Sequence, residues 1–585
     1  MASQSSSQTE WKEPLLPWMI EGLQTLGFER PTAVQDATIP LMSGYKDVVV
    51  QAVTGSGKTL AFILPVIVRL ARLEKLQFGQ TNAIIVSPTR ELAQQTHQVL
   101  TSILELAPED TKIRSQLVTG GNNSTTTSDL KIYLNRRPHV VVATPGRLLE
   151  LLDSPQVRTS VVDVLVLDEA DRLLDVRADQ TLHKIISLLP KQKRVALFSA
   201  TMTDSVNQLV LTGMRNPVKI SLVNNRSTNT PDQLDIKYIE LPSSSHRIPT
   251  LMTLVGDTAY RKTIIYVATC SSVTHWYQVL THFIHDMEIF SMHGKLPQTT
   301  RVKTLDKFRN CIDKCILITT DVAARGLDIP DIDLVVQLDP PNDPDMFVHR
   351  SGRTARAGNS GTAVVFLNND LEMGYVDFMS IRKVPMTPLE LSPRMPVEEF
   401  IRELQTWVRA DRARHDLIAK SFTSFVRFYS KHTMTSIFRT GCLDFMQLAR
   451  GYGLLRLPRM PEMKDKEVEN NGYICEEFDF DKYEYADPAQ ERARLSKLEA
   501  KAAETASKLK LKRDRPKAEA WSGQLQRKQD AQIRRDKRLK RGIAKKSQTL
   551  AEEQSSDDED AQQQDWKDLV KSRKKKSSGV AHFDL

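Results

Sequence analysis

The run Val164-Leu165-Val166-Leu167 passes directly into Asp168-Glu169-Ala170-Asp171. An apolar run without polar alternation, ended by charge, fits a strand buried on both faces, as in a parallel sheet covered by helices. The carboxylates then fall at the strand's C-terminal edge, where open α/β sheets bind ligands. Adjacent carboxylates repel, so a fold tolerates them there only when a cation or a proton-transfer task compensates. Mg²⁺ on nucleotide phosphates is the natural cation, because it takes one or two carboxylates and keeps its waters.

The matching phosphate cradle lies upstream, in Ala52-Val53-Thr54-Gly55-Ser56-Gly57-Lys58-Thr59. Gly55 and Gly57 let backbone N–H groups close around phosphate oxygens, Lys58 adds a point charge, and the Thr59 hydroxyl suits the metal. Asp47 to Gln51 supplies a strand, and Leu60 to Leu70 continues as a helix whose N-terminus faces the phosphates. Ala52 stands where the general Walker pattern has its first glycine. A lone Gly-Lys-Thr loop is as often an ordinary turn. Paired with an acidic strand about a hundred residues later, it predicts a nucleoside triphosphatase.

At 585 residues the chain has room for two or three domains. Five scattered cysteines (Cys270, Cys311, Cys315, Cys442, Cys475) form no CxxC pair, which fits a reducing compartment and predicts neither a disulfide frame nor a zinc site. The first ten residues are polar and no apolar stretch is long enough to cross a bilayer, so a soluble intracellular protein without a membrane partner is expected. The net charge of +9 is uneven: Glu491 to Leu550 holds 20 Lys/Arg against 7 Asp/Glu, Ala551 to the end 6 against 9, and the rest is close to neutral.

From about residue 14 to 223, β-type runs (Val48 to Val50, Ala83 to Val86, Gln116 to Val118, Val140 to Ala143, Val164 to Leu167, Val195 to Phe198) alternate with helical patterns. Such alternation predicts a parallel sheet with helices on both faces. A polar hinge at 224–232 precedes a second series, 233–385, with strands at Ile264 to Val267, Glu288 to Ser291, Cys315 to Thr319, Leu334 to Gln337 and Thr362 to Leu367. This half has no phosphate loop. It carries Thr319 to Asp328 and His349-Arg350-Ser351-Gly352-Arg353-Thr354-Ala355-Arg356. Arginines three apart near a helix start can reach one anionic group, and an arginine supplied across a cleft stabilises a phosphoryl-transfer transition state.

In this order, over roughly residues 14 to 385, these segments resemble the DEAD-box RNA helicases, for which Asp168-Glu169-Ala170-Asp171 is the naming motif. The resemblance implies two tandem RecA-like, doubly wound parallel-sheet domains that use ATP and Mg²⁺. Gly27-Phe28, Pro31-Thr32 and Gln35 look like the adenine-reading motif, with Phe28 stacking, Gln35 reading the base and Trp18, seventeen residues before Gln35, as the upstream aromatic. The phosphates would lie along Ala52, Thr54, Gly55, Ser56, Gly57, Lys58 and Thr59. Asp168 and Thr59 would hold Mg²⁺, Asp168 through its water shell; Glu169 would activate the attacking water. Arg353 and Arg356 would be finger arginines, with His349 beside them, and Asp328 would hold the ribose. Ser199, Thr201 and Asp171 would couple nucleotide state to domain closure. Pro88-Thr89-Arg90, Gly120-Gly121, Thr144 and Arg147 would grip RNA from the first domain, and Gln298, Arg301 and Thr320 from the second. None of these suits base-edge reading, so the grip would be independent of sequence. One departure is visible: Leu173-Leu174-Asp175 is followed by Val176-Arg177-Ala178, where many relatives carry Gly-Phe.

Residues 1–13 read as disordered. Residues 386–463 read as a small helical extension, with helical periodicity over Val397 to Val408 and Asp411 to Tyr429. Its Phe428-Tyr429-Ser430-Lys431-His432, Ser436-Ile437-Phe438-Arg439 and Gly453-Leu454-Leu455-Arg456-Leu457-Pro458 resemble the C-terminal extension of nucleolar DEAD-box helicases acting on large-subunit ribosome precursors. Residues 464–585 read as a charged, partly disordered tail, in which a long basic helix could bind RNA phosphates or an import receptor. Arg573-Lys574-Lys575-Lys576 looks like a nuclear import signal, and Ser555-Ser556 precedes an acidic run that suits phosphorylation. The expected protein is a monomer within a large ribonucleoprotein in the nucleus and nucleolus, meeting large-subunit pre-rRNA and pre-ribosomal proteins. An ATP-gated RNA clamp without turnover, a helicase for another RNA class and a DNA helicase are the alternatives.

Overall fold

In the computed structural model of the chain, the described residues are 10–52, 55–73, 80–109, 111, 113–121, 125–174, 179–202, 204–221, 233–321, 329, 331–356, 359–368, 371–463, 474, 478–480, 482–513 and 529–537. The expected hinge, Thr54, Asp328, the Val176 departure, the acidic run and the import-like cluster all lie outside them.

The first domain holds seven parallel strands: β1 (Val48–Gln51), β2 (Ala83–Val86), β3 (Ser115–Val118), β4 (Val140–Ala143), β5 (Val164–Leu167), β6 (Arg194–Ser199) and β7 (Val218–Ser221), in the spatial order β3-β4-β2-β5-β6-β1-β7. β1, β2, β4 and β5 are buried almost throughout, so each needs apolar residues on both faces, which is why all four were visible as short apolar runs. β7 was missed, because on the sheet's edge its Val-Lys-Ile-Ser alternates half-buried with exposed positions.

The second domain has seven more: β8 (Leu234–Leu241), β9 (Lys262–Tyr266), β10 (Glu288–Met292), β11 (Cys315–Thr319), β12 (Leu334–Gln337), β13 (Gly361–Asn368) and β14 (Thr387–Pro388), ordered β10-β11-β9-β12-β13-β8-β14. β8 and β14 extend the expected five. Both sheets bring their C-terminal strand ends, with the motif loops that follow, to one edge.

The helical extension is not a separate body. Its helices Val397–Arg409, Arg412–Tyr429 and Phe445–Tyr452 share one hydrophobic cluster with the second domain. A Cβ at Gly451 would lie 3.0 Å from the Ser244 carbonyl oxygen and Ser245 Cα, so a side chain there would push this close helix approach apart by a few tenths of an ångström. The extension also reaches beyond residue 463. Arg412 donates to the carbonyls of Phe480 and Tyr483, both at 2.9 Å, and the Tyr483 hydroxyl donates to the Asp411 carbonyl at 2.9 Å. Residues 478–480 and 482–486, expected in the tail, strap the turn between two helices instead. Only from Asp487 does a second unit begin, with the helix Pro488–Arg513.

His275 sits in this joint, fully buried, its ring stacked on Trp276 at 4.1 Å and 5.4 Å from Tyr452 of the extension. Burial pushes its imidazole down to about 3 from the usual 6.5. The folded chain therefore keeps His275 neutral while the unfolded chain takes up a proton below about 6.5. Its contribution is full above that pH and is lost as pH falls toward 3, with an upper limit of about 5 kcal/mol. Replacing His275 by Phe is expected to flatten the fall of urea midpoint between pH 6.5 and 4; an unchanged slope would assign the acid sensitivity elsewhere.

Candidate active site and RNA face

The nucleotide side is built from two local devices locked together. Thr32 caps the helix Ala33–Ser43 with a reciprocal pair: the Gln35 N–H donates to Thr32 Oγ1 at 3.4 Å and the Thr32 N–H donates to Gln35 Oε1 at 2.8 Å. Gln35 Nε2 then donates to the carbonyl of Gly57 at 3.1 Å. Gly57 has φ 89°, and a Cβ there would lie 2.6 Å from Gln35 Nε2 and 2.9 Å from Thr32 Oγ1, so only glycine fits. The amide expected to read the base is thus also the strut of the glycine loop, with one N–H and one lone pair left for a ligand.

The loop enters the helix Lys58–Ala71 without a side-chain cap, so its first amides remain open to an anion. Lys58 Nζ rests on the Ala52 carbonyl at 3.1 Å, and Ser56 and Thr59 are half-buried beside it. Phe28 is 41% exposed, and its carbonyl accepts the Trp11 indole N–H at 2.8 Å. Trp18, expected near the base, is half-buried and packs against the first domain's core. Trp11, placed in the segment expected to be disordered, is buried in that same core. Its signal was an isolated tryptophan in a polar terminus. Trp11→Phe keeps the ring and loses the N–H, about 1 kcal/mol, so KM for ATP should rise about fivefold at unchanged kcat. A changed kcat at unchanged KM would break this link to nucleotide binding.

β5 delivers Asp168 and Glu169 into the cleft at 4% and 5% exposure. Burial, and next the Glu169 charge, push the Asp168 carboxyl up to about 7, with Lys58 opposing. Glu169 is held at φ 48°, and its Oε2 is buried without a protein partner among the described residues. A buried carboxylate short of positive charge, next to a hydroxyl and a lysine, fits a hard divalent cation. No cluster of three or more His, Cys, Asp or Glu able to hold a metal exists among the described residues, so such an ion would depend on phosphate and water oxygens, as Mg²⁺ does.

Asp171 reaches the other domain. His349 Nε2 lies 3.0 Å from Asp171 Oδ2, both side chains almost fully buried, and the Thr201 hydroxyl approaches the same oxygen at 3.5 Å. Ser199 Oγ donates to the Thr201 carbonyl at 2.6 Å. Strand β6, the acidic motif and the helix Pro344–Ser351 are thereby linked across the cleft. Beyond His349, Arg353 Nε donates to the His349 carbonyl at 3.2 Å and Arg356 Nε to that of Gly352 at 3.1 Å. Arg356 Cγ lies 3.5 Å from where a Gly55 Cβ would stand, so this arginine lies against the phosphate loop. Arg350, first of the evenly spaced set, turns inward. It donates to Asp321 at 2.7 Å and to the Asp339 carbonyl at 2.8 Å, over the Tyr266 ring. It braces the fold.

On the RNA side, Pro88 is half-buried and Thr89 caps the helix Arg90–Glu105. Arg90 lies 3.4 Å from a Gly120 Cβ position, and Gln298 Oε1 only 2.8 Å from that of Gly121, so a side chain at Gly121 would displace a residue of the second domain. Thr144 opens the helix Pro145–Leu152 with its side chain uncommitted to the cap, and Thr320 is 9% exposed. Two expected RNA cations are otherwise engaged. Arg147 is held by Asp129 at 2.7 Å, Thr126 at 2.7 Å and Glu150 at 2.8 Å. Arg301 pairs with Glu91 of the first domain at 2.7 Å, both side chains under one-tenth exposed. A guanidinium this buried requires a carboxylate; Glu91 belongs to the motif Pro88-Thr89-Arg90-Glu91-Leu92, but its pairing with Arg301, like that of Asp129 with Arg147, is not legible in the sequence. Arg301 and Arg147 are therefore braces of the RNA face in this state, with Arg90 beside the glycines.

Comparison with known proteins agrees with this geometry. Residues 32–209 match the DEAD/DEAH box helicase family and 246–358 the helicase conserved C-terminal domain. Residues 411–460 and 485–582 match the C-terminal extension and C-terminal tail described as ATP-dependent rRNA helicase SPB4-like. The ATP-dependent rRNA helicase SPB4 of Yarrowia lipolytica is 44% identical, covering 98% of this chain and 99% of its own; that of Scheffersomyces stipitis is 42% identical over 97% of each. Among solved structures, Mss116p bound to ssRNA and AMP-PNP aligns with a TM-score of 0.67 at 27% identity, over 75% of this chain and 88% of that one. S. cerevisiae Dbp5 bound to RNA and ADP BeF3 aligns at 0.56 and 28%, over 68% and 97%.

Proposed function

The chain belongs to the DEAD-box family of ATP-dependent RNA helicases, and from that premise we propose that its substrate is ribosomal RNA, remodelled during maturation of the large ribosomal subunit in the nucleolus. The observation that carries this reading is the end-to-end match to rRNA helicases through the extension and the tail, the two parts outside the common helicase core.

In the proposed reaction ATP lies with its base on Phe28 and Gln35 and its phosphates on the amides of Gly55 to Thr59. Lys58 leaves the Ala52 carbonyl for the phosphates. Glu169, whose Oε2 has no partner among the described residues, orients and deprotonates the attacking water. Arg353 and Arg356 meet the charge that develops on the transferred phosphoryl group. Bound Mg²⁺, held by Asp168 through water and by Thr59, would neutralise phosphate charge. RNA gates the step because the Asp171–His349 and Glu91–Arg301 links form only when the halves close, and RNA favours closure by spanning both. Closure bends one strand, which melts a short duplex or loosens a protein–RNA contact; hydrolysis releases it.

In-cell crosslinking of the Glu169→Gln form, followed by sequencing of bound fragments, tests the substrate. Reads concentrated on a few helices of the large-subunit precursor support it, and reads scattered over messenger RNAs reject it. The basic tail acts as a general RNA arm or an import signal. Deleting residues 491–585 is expected to weaken RNA binding and flatten its salt dependence at unchanged RNA-saturated turnover. An unaltered salt slope would leave the import role.

A further inference from the structure

The sheet of the second domain ends in β14, two residues long, which pairs with β8 only at Lys237 and Tyr238. The pairing closes with the Leu389 N–H donating to the Tyr238 carbonyl at 2.8 Å. Beyond it, a groove of about 550 Å³ lies between residues 388–393, the end of β8 and the start of the helix Arg247–Val255. Alternate residues of a parallel strand turn their N–H and C=O to the same edge, so the Glu240 backbone points to the edge that Tyr238 uses, past the end of β14. An uncovered stretch of strand edge is a template for another chain.

The groove's charge is acidic. Glu240 and Glu390 both line it, both are exposed, and neither has an ion-pair partner among the described residues. The nearest cation on the strand, Lys237, is engaged by Asp235 at 3.1 Å. Two free carboxylates repel phosphate, so this surface does not suit RNA. Backbone hydrogen bonds from an edge, combined with flanking carboxylates, suit an extended polypeptide with basic side chains.

We propose that this groove is a docking site for an extended Lys/Arg-bearing segment of a partner protein, added as a short strand beside Glu240 and held by Glu240 and Glu390. None of the residues lining the groove is among the expected ATP or RNA contacts, so the site stands independently of the substrate reading. Its occupant would be joined to the segment 388–396 that leads into the C-terminal extension, giving a protein partner a handle on the helicase without competing for RNA.

The test uses the full chain and a fluorescein-labelled six-residue peptide of alternating arginine and valine, followed by anisotropy, with an alternating glutamate and valine peptide as control. The parent chain is expected to bind the arginine peptide. Glu240→Lys with Glu390→Lys should weaken that binding at least about tenfold, bind the glutamate peptide instead, and leave RNA-stimulated ATP turnover unchanged. Equal affinity of both proteins for the arginine peptide, or a variant that fails to bind the glutamate peptide, overturns the proposal.

Discussion

Glu169→Gln is expected to bind ATP and RNA as the parent chain does and to turn ATP over at least about tenfold more slowly, a barrier more than about 1.4 kcal/mol higher. The amide keeps the size of the carboxylate but cannot accept the water's proton. The backbone at Glu169 is already in the left-handed region, φ 48°, and its Oε2 is buried without a partner among the described residues, so the substitution breaks no contact that holds the fold. RNA-saturated turnover, with ATP and RNA affinities measured alongside, decides the matter. Unchanged turnover would reject Glu169 as the base, while a loss of ATP binding would show that the amide disturbs the cleft.

The second large effect is expected at Glu91. Its ion pair with Arg301, 2.7 Å between two buried side chains, spans the two domains. Glu91→Ala leaves a guanidinium buried and uncompensated whenever the domains close, and breaking one partner of such a pair costs about 3 kcal/mol or more. The closed fraction with RNA and a non-hydrolysable ATP analogue should therefore fall roughly a hundredfold in its equilibrium constant. A distance-sensitive fluorophore pair, one dye on each domain, reads this directly. The double variant Glu91→Leu/Arg301→Met should recover much of the loss, because no unpaired charge remains. A closed fraction insensitive to Glu91→Ala would mean that the pair is incidental to closure.

Much of the architecture was legible because it rests on local rules. Val164 to Leu167 declares a doubly buried strand, and Thr32 with Gln35 declares a helix start by reciprocal capping. Gly55 and Gly57 stand where the chain adopts positive φ. The missed pieces share one cause. β7 is an edge strand whose burial alternates, Trp11 stands in a polar terminus, and the aromatic strap of 478–480 and 482–486 carries the acidic composition of a tail. In each case burial is conferred by a distant surface, which composition does not register.

The sequence by itself determined that this chain has a glycine loop leading into a helix, a strand ending in paired carboxylates and two parallel-sheet halves, because each depends on residues within one turn or one strand. Only the tertiary structure decided what the charged residues do. Arg350, Arg353 and Arg356 look equivalent at their three-residue spacing, yet Arg350 is buried against Asp321 while Arg356 lies against the phosphate loop. Arg147 and Arg301 look like RNA cations, yet Asp129, Glu150 and Glu91 hold them. Asp171 finds its partner His349 across 178 residues of sequence. The role of a charge is set by the nearest opposite charge and by the water that burial removes, and both are properties of the folded chain.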